Sequence, residues 1–176
     1  MHDTHAVPNA ARQRLFDRFA ELGIEMKIVP YPAHKTVEEG KALRGSMAGT
    51  FTKNLLLKDK KSRHFLLSIH EDRNIDLKTL HKRLGAKGQI GFASTERVQE
   101  YLDVTPGALT PLGLINDGQG AVTAVIDASL LDAGQLNFHP LINTESIGLS
   151  ADQLLNFIRT CGREPMIVDF DQPLPG

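Results

Sequence analysis

The stretch Thr50-Phe-Thr-Lys-Asn-Leu-Leu-Leu-Lys-Asp59 decides how the rest of the chain is read. Leu55, Leu56 and Leu57 are consecutive rather than alternating with polar residues, so this strand is expected to be covered on both faces. Asp59-Lys-Lys-Ser62 supplies a polar turn, and His64 to His70 is a second strand-like run, which together predict a hairpin. Upstream, Asn9 to Leu22 sets Leu15, Phe19 and Leu22 on one helical face and stops at Gly23. Glu25 to Val29 reads as a short strand broken by Pro30 and Pro32. Thr36 and Glu39 have capping-box spacing for a helix from Val37 to about Leu43.

Downstream, Asp76 is expected to cap a helix that carries Leu77, Leu80 and Leu84 and closes at Gly85. Gln89 to Ala93 predicts a strand and Thr95 to Leu102 a helix. Leu112 to Ile115 and Ala121 to Ile126 flank Asn116-Asp-Gly-Gln-Gly120, a strong turn signal, and read as strands on either side of it. Ser150 and Gln153 form a second capping box for a helix ending at Gly162, and Met166 to Phe170 is a closing strand. Hairpins intermixed with helices predict an α+β class: a mixed, largely antiparallel sheet flanked by helices, rather than a doubly wound parallel one. No repeat or linker divides the chain, so residues 1–176 are expected to form one domain, with 1–8 frayed.

Bulk features exclude several classes. No apolar run approaches a membrane span, and the first dozen residues lack the apolar stretch of a secretory signal. Cys161 is the only cysteine, so no internal disulfide is possible and a cytoplasmic location is the default expectation. Net charge is −1, yet residues 53–87 hold 10 of the 20 Lys and Arg side chains against 4 acidic ones. Such a face fits a phosphate backbone, although on charge alone a solvated turn and the polar side of a helix is the favoured reading.

The chemistry-bearing motifs are mostly those of other mechanisms, and they are missing. There is no Gly-x-Ser-x-Gly elbow, no Walker A loop, and no Gly-x-Gly-x-x-Gly after a strand. The seven histidines show no metal-ligand spacing, so neither metal nor organic cofactor is expected. Cys161 ends a helix beside Gly162, where a half-buried structural thiol is the expectation. Any hydrolysis would then rest on positioning, electrostatics and help from the substrate.

Three segments taken in order are specific: Thr50–Asp59, Val104-Thr-Pro-Gly-Ala-Leu-Thr-Pro-Leu-Gly-Leu-Ile-Asn-Asp117, and Asn137-Phe-His-Pro-Leu-Ile-Asn143. Together they resemble the YbaK/prolyl-tRNA editing superfamily, from the first helix to Val168-Asp-Phe170, and look closest to its free-standing branch acting on alanyl-tRNA(Pro). The resemblance implies a curved sheet and a hydrolase that deacylates mischarged tRNA without metal or cofactor. Its partners would be the acceptor end of tRNA(Pro) and, as a second candidate, prolyl-tRNA synthetase, with no DNA and no membrane. Lys53 matches the lysine the family places near the terminal phosphate and ribose, and Asn54 and His139 match neighbouring polar positions. The Gly107–Pro111 loop matches the segment whose amides face the scissile ester, through Gly107 and Ala108. Phe51, Leu109, Thr110 and Pro111 would wall the amino-acid pocket. Lys58, Lys60, Lys78, Lys82 and Arg83 would meet the tRNA. Leu112 stands where phenylalanine is more usual, and Thr144-Glu-Ser-Ile-Gly148 departs from a threonine-rich stretch, so amino-acid specificity is less fixed than the chemistry.

Read without the family, the same residues stay ambiguous. Lys53 can be a snorkelling surface lysine. Lys53 and Asn54 are adjacent on a strand and should point to opposite faces, so both line one pocket only at a strand end or bulge. His139 precedes Pro140 and is therefore extended, packed at a sheet edge or holding a water or an amine. Gly107 can serve only a tight turn. Two other readings remain: the same fold editing cysteinyl- or seryl-tRNA, and a non-catalytic tRNA-binding module. The absence of Trp, with only Tyr31 and Tyr101 as tyrosines, counts against a general stacking platform.

Overall fold

The computed structural model describes residues 9–31, 36–44, 47–104 and 107–175. The helices are α1 (Asn9–Glu21), α2 (Val37–Arg44), α3 (Leu80–Leu84), α4 (Thr95–Leu102) and α5 (Ala151–Thr160). The strands are β1 (Ile28–Pro30), β2 (Thr50–Lys58), β3 (His64–His70), β4 (Gly91–Phe92), β5 (Val122–Asp127), β6 (Leu136–Phe138), β7 (Glu145–Leu149) and β8 (Met166–Val168). Residues 1–8, where a frayed end was expected, lie outside the described residues.

The sheet runs β1-β7-β6-β2-β3-β5-β8, with β4 paired to β2. Among the described residues four pairings are antiparallel and three parallel, giving the expected mixed α+β sheet. The β2–β3 hairpin is in register from Thr52 opposite His70 to Lys58 opposite His64. Leu56 and Leu66 face one core with Leu15 and Phe19 of α1, Leu102 of α4 and Phe157 of α5. Leu55, Leu57, Leu67 and Ile69 face a second core with Leu80 and Leu84 of α3. Burial on both faces is what the three consecutive leucines require.

Local signals behave as expected at several ends. The Ser150–Gln153 capping box is complete, and Thr36 Oγ1 accepts from the Glu39 amide at 3.1 Å. The first strand departs from expectation: it begins at Ile28, and Pro30 is its last paired residue, opposite Glu145, instead of breaking it, because among the described residues β1 is an edge strand paired with β7 alone.

Other expectations are corrected. Pro111–Asn116 is a 3₁₀ helix, not a strand, and β5 pairs with β3 and β8 instead of closing a hairpin on it. The signals were local: Thr110 Oγ1 accepts from the Leu112 amide, and Pro111 occupies the first helical position. Gly113 lets this turn press on α4, since a Cβ there would meet Leu102 Cβ at 3.0 Å. Asp76 caps a turn, accepting from the Lys78 amide at 3.0 Å, and α3 begins only at Leu80. The strand expected over Gln89–Ala93 shrinks to Gly91–Phe92.

Candidate functional site

The site lies where β2 loses a neighbour. On the edge away from β3, β6 pairs only with Thr50 and Phe51, and β4 only with Leu57 and Lys58. Between them β2 borders a cleft of about 900 Å³. Lys53, Asn54, Phe51, Leu109, Gly107 and His139 all line it. Adjacent Lys53 and Asn54 reach one cavity because it wraps around an open strand edge, so neither a bulge nor a strand end is needed.

Each side chain has a built setting. Lys53 Nζ donates to the Arg73 carbonyl at 2.9 Å. The buried Ser68 hydroxyl donates to Asn54 Oδ1 at 2.6 Å, which leaves Asn54 Nδ2 to donate to Thr52 Oγ1 at 3.3 Å. Thr52 Oγ1 in turn donates to the Asn137 carbonyl at 3.2 Å. His139 Nδ1 stands 2.8 Å from the Glu145 carbonyl, which can only accept. Nδ1 therefore carries the proton, and in the neutral ring Nε2 holds the lone pair. The Tyr31 ring meets His139 edge-on at 5.6 Å and stacks on Phe51 at 5.9 Å, fixing that wall.

Backbone shape matters on the opposite rim. Gly107 has φ of +81°, and a Cβ there would come within 3.3 Å of Asn143 Nδ2. Leu141, fully buried between His139 and Asn143, sits at φ of +72°, a conformation that costs a non-glycine residue roughly 1–2 kcal/mol. The core contact of Leu141 holds that loop in place against the cost.

Three proposed wall and loop residues stand elsewhere. Ala108 and Thr110 are fully buried, and Pro111 is buried with them. The Thr110 hydroxyl is spent on capping the 3₁₀ helix. The cleft wall on this side is Gly107 and Leu109. Lys58, Lys60, Lys78 and Lys82 are exposed. Arg83 is occupied: its guanidinium donates to the Asp169 and Gln172 carbonyls and lies over Phe170.

Sequence reasoning passed over several lining residues, among them Tyr31, Thr52, Glu71, Asn137 and Asn143. Counting only Trp and Tyr as stacking groups also passed over Phe92, which is 61% exposed on β4, while Tyr31 is buried. Cys161 is half-buried and burial pushes its thiol above its ordinary value, which suits a structural thiol. Among the described residues, no group of three or more His, Cys, Asp or Glu side chains could hold a metal ion. No described helix is long and apolar enough to cross a membrane.

The aminoacyl-tRNA editing domain family matches residues 31–157, which includes every side chain lining this cleft. The chain is 38% identical over 165 residues to a bovine (Bos taurus) prolyl-tRNA synthetase associated domain-containing protein 1, covering 92% of this chain and 96% of the relative. It is 33% identical to the prolyl-tRNA editing protein ProX of Acetoanaerobium sticklandii, covering 86% and 93%. A crystal structure described as a candidate trans-editing enzyme for prolyl-tRNA synthetase superposes with a TM-score of 0.69, over 93% of this chain and 98% of that one. At 18% identity, that likeness speaks for the fold. The chain belongs to the aminoacyl-tRNA editing domain family, within the YbaK/prolyl-tRNA editing superfamily.

Proposed function

We propose that this protein is a trans-editing hydrolase that deacylates mischarged alanyl-tRNA(Pro) in the cleft beside β2. The observation that carries this reading is the convergence of Lys53, Asn54, His139 and Gly107 on one cavity, in a chain whose relatives include a prolyl-tRNA editing protein. At about 900 Å³, the cleft is far larger than alanine needs, so it has room for the terminal adenosine as well. Lys53 anchors the 3′-terminal phosphate or ribose as a point charge. The Gly107 segment turns backbone amides towards the ester carbonyl, where negative charge develops.

An aminoacyl ester is already activated, so water attack needs modest help. Water adds to the carbonyl carbon while His139 Nε2 accepts its proton, or while the neighbouring ribose hydroxyl orients the water and relays a proton on to the departing 3′-oxygen. The ester C–O bond then breaks, the tRNA 3′-oxygen takes up a proton, and the amino acid leaves as a carboxylate. No step in this scheme is routed through a metal or an organic cofactor, and activity should survive excess chelator. The exposed Lys58, Lys60, Lys78 and Lys82 supply the tRNA-facing charge. Arg83 is left out of that set because the closing segment occupies it.

The test is a deacylation time course on alanyl-, cysteinyl-, seryl- and prolyl-tRNA(Pro), with wild type beside Lys53→Ala. Preferred loss of alanine, abolished in the variant with its circular dichroism unchanged, supports the reading. A preference for cysteine or serine moves the specificity. Binding of tRNA with an unaltered ester half-life makes the protein a binding module.

A further inference from the structure

We propose that Arg73 is a positioning residue that sets where the Lys53 amine stands in the cleft, and that the segment after β8 is thereby part of the site's support. Lys53 lies on the sheet face covered by α3, opposite Ile69, and its amine is held by the Arg73 carbonyl at 2.9 Å. That carbonyl belongs to an irregular stretch just past β3, where no strand pairing fixes the backbone. A turn bond from the Arg73 amide to the His70 carbonyl at 3.0 Å holds one side of this residue, and the Arg73 side chain ties down the rest.

Its Nε donates to Asp127 Oδ2 at 2.6 Å, and Nη1 and Nη2 grip both oxygens of Asp171 at 3.1 and 3.2 Å. Asp127 is fully buried at the end of β5, and its other oxygen accepts from the Ser129 amide at 3.0 Å. Two guanidinium groups meet the Phe170 ring, those of Arg73 and Arg83, each 5.6 Å from its centre. The Arg73 pKa is raised, first by its hydrogen bond to Asp171 and then by Asp127 against the cost of burial. The clamp is therefore charged on both sides and planar, so it fixes an orientation as well as a distance. One residue thus joins the ends of β3 and β5, the segment after β8, and the amine of Lys53. Phe170 and Asp171 lie beyond residues 31–157, the stretch matched to the editing-domain family.

This rests on Lys53 meeting the tRNA, and a thermodynamic cycle tests it through binding as well as turnover. The full chain is made as wild type, Arg73→Ala and Asp171→Ala, each also in a Lys53→Ala background. Affinity for uncharged tRNA(Pro), deacylation kinetics and melting temperature are then measured. Asp171 is 69% exposed on its side chain, so Asp171→Ala folds even if Arg73→Ala, which strands buried Asp127, does not.

The expected result is a threefold to tenfold loss of affinity in either variant, with KM rising and kcat less affected, that disappears when Lys53 is already alanine. The same loss in the Lys53→Ala background would overturn the proposal, as would unchanged affinity in a folded Arg73→Ala. Wild type that binds tRNA but leaves every ester intact would sink the editing reading, while the binding cycle would still decide the role of Arg73. Wild type that fails to bind tRNA would overturn both.

Discussion

The buried Ser68 hydroxyl donates to Asn54 Oδ1 at 2.6 Å, across the Asn54–Ser68 register pair of the β2–β3 hairpin. The bond decides which way the Asn54 amide faces, since Oδ1 is taken and Nδ2 must turn to Thr52. Without it the amide can flip and present the wrong atom to a ligand. Ser68→Ala should therefore lower deacylation by about tenfold while costing only roughly 1 kcal/mol of stability, the usual worth of one hydrogen bond. Ser68→Thr, which keeps the hydroxyl, should recover part of the activity. Full activity in a folded Ser68→Ala would show that the orientation of Asn54 does not matter.

A second prediction concerns Asp59, in the hairpin turn. Burial pushes its carboxyl up, but hydrogen bonds from the Arg63 and Lys87 amides, the Arg63 side chain and the Lys61 amide outweigh burial and hold it at about 2, below the ordinary 3.8. A carboxyl lowered on folding stabilises the fold when ionised. Its contribution is complete above about pH 4 and is lost as pH falls towards 2. Melting temperature should drop through that window, and Asp59→Asn should flatten the drop while lowering stability at neutral pH. An acid limb identical in wild type and variant would remove Asp59 from the account.

How much of this was legible in the sequence depends on how local each signal is. The β2–β3 hairpin, α1, α4 and α5 follow from periodicity, a polar turn and side-chain caps such as Ser150, all contained within a few residues. The strands β6 and β7 do not, because Leu136–Phe138 and Glu145–Leu149 are short and exist only by pairing with partners far along the chain. The run Leu112–Ile115 misled because four apolar residues fit a strand and a helical turn equally, and the deciding Thr110–Pro111 start lay just before it. The site divides in the same way. Lys53, Asn54 and His139 could be singled out, but their meeting at one cleft depends on where β6 and β4 stop along β2. Arg73 carried no local signal at all, since its partners Asp127 and Asp171 lie 54 and 98 residues away.

The third prediction is electrostatic. Lys58 and Lys60 are exposed at the turn end of β2, and about 3.4 Å of rise per residue puts Lys58 roughly 17 Å along the strand from Lys53. An acceptor stem entering over that end would release counterions, so tRNA affinity should fall steeply with added salt. Lys58→Ala combined with Lys60→Ala should reduce the slope of log affinity against log salt by about two. The slope is read from titrations at four or five salt concentrations. A slope that stays the same in the double variant would place the stem on another face.

The last prediction concerns which amino acid is removed, and size decides it. Proline exceeds alanine by two ring carbons, so a wall set for a methyl group can exclude the cognate amino acid sterically. The opposite discrimination, rejecting something smaller by one methylene, is worth only about 1–3 kcal/mol, which is how alanine comes to be attached in error. Leu109 and Phe51 are the apolar side chains of the cleft nearest in sequence to the Gly107 segment and to Lys53, while Pro111 stands buried behind them. Leu109 is only partly buried and packs against the main core, so trimming it should enlarge the cleft at a tolerable cost in stability. Leu109→Ala should therefore admit larger amino acids and raise hydrolysis of prolyl-tRNA(Pro) relative to alanyl-tRNA(Pro) by about tenfold, equivalent to ~1.4 kcal/mol of lost discrimination. Side-by-side time courses on the two charged tRNAs measure the ratio. If wild type already clears prolyl-tRNA(Pro) as fast as alanyl-tRNA(Pro), the protein would destroy correctly charged tRNA, and an alanine-editing role cannot stand.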